Sequence, residues 1–309
     1  MEESLIRGTN LQTPRRSSYV PYLLVLALAI PFASSPSSAF AGQTPTGMRH
    51  APIEVARDSG GNPMRQTEGR TPGLAEAQLT STNWSGYALP KFMTKKLYTA
   101  AQATWIVPSV LFLDAPAGAT VEYSSNWVGI GGYCTNAKCK KADQKLIQLG
   151  TEQDSFLGGS AQYYAWYEIL PAASIVIPSL VVNPGDVMTA SLVCAKKCTG
   201  KQSWTLSMTD ETTGQTWSQV LKYQASKLSA EWIEEAPYSG GILPLADFGT
   251  ANFSASTANN AAANLSKGDS IVMTNPAGET SNVSALSSTL DGFNACWGSD
   301  GAFTPCFAP

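Results

Sequence analysis

The chain has 309 residues, 43% of them hydrophobic and only 14% charged, with a formal net charge of −3. That balance excludes an intrinsically disordered chain, which combines low hydrophobicity with high net charge. It also gives no electrostatic footing for nucleic acid, and the length allows one large domain or two ordinary ones.

The N-terminus reads as a targeting segment. Arg15-Arg16 precedes an apolar run from Val20 to Ala33, and a Pro/Ser-rich stretch follows, ending Ala39-Phe40-Ala41. A basic region, a short apolar core and an A-x-A site make a secretory signal peptide, here residues 1–41. The run is short of the roughly 20 apolar residues that a membrane span needs. The expected product is a secreted, extracellular protein with no membrane attachment after cleavage.

Residues 42–78 are rich in Gly, Pro, Thr and Arg and poor in large apolar side chains. This is the composition of a linker or a propeptide. All seven Arg and the single histidine, His50, precede residue 81; beyond it stand 13 Lys against 17 Asp and Glu, a net of −4. If the segment is removed on maturation, His50 goes with it. A Ser-His-Asp triad, a Cys-His pair and the usual catalytic zinc site all then lack their histidine. What remains for chemistry is carboxylates, amides, hydroxyls, Lys and Cys. A segment whose bases are Arg and His would also serve as an electrostatic plug over an acidic cleft.

From residue 79 to residue 309 the chain reads as one all-β domain. Short apolar or alternating runs recur between turn residues: Thr104–Val107, Asn126–Ile130, Tyr163–Tyr167 and Ser174–Val182, the last ending in Asn183-Pro184-Gly185-Asp186. Trp204–Met208 alternates, turns through Asp210–Gly214 and resumes at Gln215–Tyr223, a hairpin pattern. No long stretch keeps a 3.6-residue period. Short strands with regular turn signals argue for an antiparallel sandwich or barrel. Gly129-x-Gly131-Gly132 follows a strand, but no helix pattern opens after it, so it reads as a tight turn rather than a phosphate cradle.

Six cysteines fall in three close pairs, Cys134/Cys139, Cys194/Cys198 and Cys296/Cys306. In an exported chain an even count points to disulfides. Their clustering favours those three pairings among the possible ones. A thiolate metal site has neither His nor C-x-x-C spacing behind it, so no metal and no cofactor is expected.

Two residues stand out as candidates for chemistry. In Ser229–Pro237, strand alternation puts Glu231, Ile233 and Glu235 on one face and Trp232 and Glu234 on the other. A carboxylate among large apolar neighbours can be tuned as an acid or base, although a solvated strand face has the same pattern. Gln148, in Lys145–Gly150, reads from pattern alone as an ordinary polar face residue.

The region from about Ser81 to Ser254 resembles the glutamic peptidases, the pepstatin-insensitive acid proteases of eqolisin type. The segments that carry the resemblance stand in family order: Ser81–Gly86, Thr104–Pro108, Asn126–Ile130, Ile147-Gln148, Ala165–Glu168, Ala230–Ile233 and Ala246–Gly249. The resemblance implies a two-sheet antiparallel β-sandwich of concanavalin A-like, jelly-roll type. It implies an acid endopeptidase acting on polypeptides, with a Gln/Glu dyad falling on Gln148 and Glu231. It places Trp127, Tyr167, Glu168 and Glu152 along the substrate cleft, and it makes residues 42–78 a propeptide. Gly131 and Glu152 stand where members often carry Asp, which bears on substrate preference and pH optimum. A monomer is expected. The reading from another class is a carbohydrate-active sandwich, either a glycoside hydrolase using two carboxylates or a lectin-like module.

Overall fold

The computed structural model describes residues 47–66, 78–114, 116–195, 198–298 and 305–309. The expected signal peptide lies outside the described residues. The strands of four residues or more are β1 (Gln78–Ser81), β2 (Trp84–Pro90), β3 (Ala100–Ile106), β4 (Val121–Gly131), β5 (Leu146–Phe156), β6 (Ala161–Ile169) and β7 (Val187–Cys194). They continue with β8 (Ser203–Asp210), β9 (Thr216–Lys222), β10 (Ser229–Glu235), β11 (Thr250–Ala258), β12 (Ser270–Thr274), β13 (Thr280–Val283) and β14 (Phe293–Gly298).

Two sheets follow from the pairings. The first runs β1-β12-β2-β10-β4-β5-β6, antiparallel except for β1 with β12. The second runs β13-β14-β11-β3-β7-β8-β9, antiparallel throughout. Strand β12 joins them: Ser270 and Ile271 pair with β2, while Met273 and Thr274 pair with β13. A strand that changes sheets at a corner is a regular device of β-sandwiches. The fold is the expected all-β, two-sheet antiparallel sandwich.

The inner faces meet in one core, with Val128, Ile147 and Trp232 of the first sheet against Trp105, Leu206 and Phe253 of the second. Burying each such side chain contributes about 1.5–3 kcal/mol. On β8 the exposure alternates residue by residue, as a sheet with one wet face requires. On β2 and β10 every residue is buried. The reason is a second apolar cluster on the outer face of the first sheet, where Trp84, Trp127, Trp166 and Ile233 are covered by Met48 and Ile53 of the N-terminal segment.

The hairpin of β8 and β9 has the expected place, its turn held by Asp210 Oδ1 accepting from the backbone of Thr212 and Thr213. The run at Ser174–Val182 is largely not a strand; only Ile175–Val176 pairs, and Leu180 N–H closes a turn onto Ile177 C=O. Pro178 explains this, since proline has no N–H to give a ladder. Gly131 and Gly132 have φ of +93° and +88° and turn the chain out of β4, as expected; a side chain at Gly131 would collide with the carbonyl of Lys145. The three short-range cysteine pairs are disulfides, Cys134–Cys139, Cys194–Cys198 and Cys296–Cys306.

Candidate active site

Strand alternation gathers the polar candidates on the outer face of the first sheet, in cross-strand rows. One row is Glu168, Gln148, Gly129, Glu231. The next is Trp166, Gly150, Trp127, Ile233. The third is Tyr164, Glu152, Ser125, Glu235. All the side chains of these rows are buried, and His50 lies against Glu168, Gln148, Trp166, Glu152 and Glu235.

Gln148 and Glu168 sit side by side on neighbouring strands. Gln148 Nε2 donates to Glu168 Oε2 at 2.9 Å and to the carbonyl oxygen of His50 at 2.7 Å. Glu168 Oε2 also accepts from His50 N–H at 2.8 Å. Burial pushes the Glu168 carboxyl up to about 8, against the two donors that pull it down. Gln148 Oε1 takes no hydrogen bond from the described residues.

Glu235 reaches the same place from the third row. Its Oε2 accepts from Trp127 Nε1 at 2.7 Å and lies 3.3 Å from His50 Nδ1. Asn83 Nδ2 approaches its other oxygen at 3.5 Å. Burial raises its carboxyl well above the usual range, helped by the charge of Glu168; donors from Trp127, Trp84 and the Ala51 backbone oppose the rise. Glu152 Oε2 lies 3.6 Å from His50 Nε2, and burial raises this carboxyl too, with Asp154 adding to it.

Gln148 and Glu231 share a row, but they do not meet. Gly129 stands between them, and a Cβ there would lie 2.8 Å from Trp127 Cζ3 and 3.2 Å from Leu146 Cδ1. Indole and leucine therefore fill the face that separates the two. The polar neighbours of Glu231 are Ser229 and Asp143, and burial raises its carboxyl well above the usual range. The carboxylate that converges with Gln148 on one residue is Glu235.

Trp127, Glu168 and Glu152, placed along the cleft by the resemblance, lie on this face. Tyr167 does not. It follows Trp166 on β6, so alternation turns it into the inter-sheet core, where it stacks on Trp217 at 5.3 Å. Sequence reading also passed over Trp166, whose indole lies flat under the His50 ring at 3.4 Å and 5°. Its position two residues from Glu168 was the available signal.

Comparison with known proteins bears on the family and the fold. The sequence profile described as the peptidase A4 family matches residues 82–292. Aspergillopepsin-2 of Aspergillus niger is 27% identical over 212 residues, which is 62% of this chain and 70% of that protein. The crystal structure of scytalido-glutamic peptidase with a transition state analog inhibitor superposes with a TM-score of 0.51 at 20% identity. That match covers 70% of this chain and 98% of the other.

Proposed function

The chain belongs to the peptidase A4 family and hydrolyses peptide bonds of polypeptides, and from that premise we propose a secreted acid endopeptidase whose working dyad is Gln148 and Glu235. The family assignment closes the carbohydrate-active alternative. The observation that carries the dyad is the convergence of Gln148 Nε2 and Glu235 Oε2 on His50, from opposite sides of one residue. Glu231, the other glutamate on that face of β10, is cut off from Gln148 by Trp127 and Leu146.

The chemistry needs no other group. Ionised Glu235 takes a proton from water, which attacks the scissile carbonyl carbon. Gln148 N–H holds the oxygen that becomes negative, and its free Oε1 can orient the water. Glu168, by accepting from Nε2, keeps the amide in the orientation that points N–H at the carbonyl. Protonated Glu235 then gives its proton to the leaving amine, and the C–N bond breaks.

The segment over the site accords with a propeptide within residues 42–78. It fills the face with His50, and by excluding water it keeps Glu235 protonated, so the base is blocked in two ways. Removal lets water return, and the donors from Trp127 and Trp84 then favour the ionised carboxylate. Three disulfides accord with export after loss of residues 1–41. The same reading has a monomer working apart from membranes and nucleic acid. The test is hydrolysis of an unfolded protein by the acid-treated chain from about pH 2 to about pH 7, with pepstatin present. Cleavage in acid that pepstatin leaves untouched supports the reading; a chain shown to be folded and processed that cuts at no pH refutes it.

A further inference from the structure

The N-terminal segment crosses the site extended, and its backbone is held group by group. Arg49 and Tyr238 exchange two backbone hydrogen bonds, both at 2.9 Å. His50 N–H goes to Glu168 and its carbonyl oxygen to Gln148. Trp84 Nε1 donates to Ala51 C=O at 3.0 Å, Asn83 Nδ2 to Pro52 C=O at 3.2 Å, and Ile53 N–H to Gly132 C=O at 3.0 Å. Contacts of this kind read any extended peptide, because they touch the main chain alone.

One side chain is read individually. The His50 ring is fully buried and stacks on Trp166. Its two nitrogens face opposite ends of the slot, Nδ1 3.3 Å from Glu235 Oε2 and Nε2 3.6 Å from Glu152 Oε2, near enough to interact electrostatically though neither closes a hydrogen bond. A neutral imidazole is a donor at one nitrogen and an acceptor at the other. It therefore offers a polar atom to each of two buried carboxyls, both of which burial raises well above the usual range. A phenyl ring could stack equally well, but it would leave both carboxyls buried against C–H. A leucine could not lie flat on the indole and offers the carboxyls no polar atom.

We propose that the slot bounded by Trp166, Glu152 and Glu235 is an imidazole-selective subsite for the residue on the carbonyl side of the peptide bond. His50 fills it before processing, and a histidine side chain of another peptide fills it afterwards. This rests on the dyad reading, because Gln148 is what marks the His50 carbonyl as the reacting position.

Competition tests it. The heptapeptide with the sequence of residues 48–54, and versions with Phe or Leu in place of the histidine, are added to the acid-processed chain hydrolysing an unfolded protein. The histidine peptide should inhibit more tightly than the Phe version by roughly tenfold or more, since the replacement leaves the two carboxyls facing C–H in place of ring nitrogens. In chains carrying Glu152→Gln or Trp166→Leu that preference should fall to about threefold or less. Equal inhibition by the histidine and Phe peptides overturns the proposal. In the full chain, His50→Phe should shorten the lag before activity appears on acidification, and an unchanged lag counts against it. Gln148→Ala, which leaves Trp166, Glu152 and Glu235 in place, separates the two readings: if that variant still hydrolyses protein, the dyad fails, while its binding preference for the histidine peptide over the Phe peptide continues to report on the slot.

Discussion

Gln148 Nε2 lies 2.7 Å from the carbonyl oxygen of His50, while Nδ1 of the same histidine lies 3.3 Å from Glu235 Oε2. One residue of the N-terminal segment thus measures the span between an amide donor and a carboxylate two strands away. A bound peptide bond would occupy the same span. The expectations below follow from that spacing and from the burial around it.

Gln148→Ala removes the only side-chain donor among the described residues that reaches the His50 carbonyl oxygen. Turnover should drop by about a hundredfold or more, corresponding to about 3 kcal/mol of barrier. The thermal midpoint should stay close to that of the parent at acid pH. A loss of less than about threefold would refute the oxyanion role.

Trp127→Phe keeps an aromatic ring between Gln148 and Glu231 but deletes the 2.7 Å donor to Glu235. That donor favours the charged carboxylate, so its loss raises the carboxyl. The base must be ionised to act, and so the acid limb of kcat/KM should move up by about one pH unit. An unmoved limb, measured across the acid range, would separate Trp127 from the base.

Among the described residues seven carboxyls are held high by burial: Glu152, Glu231, Glu234 and Glu235 well above their usual range, Glu168 at about 8, Asp154 and Glu279 at about 7. Between the unfolded value near 4.3 and these folded values, the folded chain holds protons that the unfolded chain has lost. Stability is therefore full below about pH 4 and falls as pH rises through the folded values. His50 acts in the opposite sense: burial keeps it neutral, which costs stability below its usual range. One such group does not offset seven. Thermal unfolding of the full chain should show a midpoint that falls steadily from about pH 4 to about pH 8; a midpoint that rises over that range would contradict the account.

A chelator should leave hydrolysis unchanged, since water is activated by a carboxylate alone. Loss of activity on treatment, restored by added zinc, would replace the dyad with a metal site.

Much of this was legible in the sequence, and the failures have physical causes. Period-two alternation in Ser229–Pro237 correctly separated Glu231, Ile233 and Glu235 from Trp232 and Glu234. It treats Glu231 and Glu235 alike, because what distinguishes their surroundings is where the Trp127 indole lies over Gly129. The same alternation, applied from Trp166, would have sent Tyr167 into the core. The disulfides were readable because each pair is close in sequence. His50 was read as a residue lost with its segment; its seat against Trp166 is a long-range contact with no local signature.

The most direct test sets Glu235→Gln beside Glu231→Gln, each assayed for hydrolysis of an unfolded protein in acid after processing and each checked for a folded spectrum. The account predicts that Glu235→Gln is inactive while Glu231→Gln keeps turnover within about threefold of the parent. An active Glu235→Gln with an inactive Glu231→Gln would contradict it and return the base to Glu231.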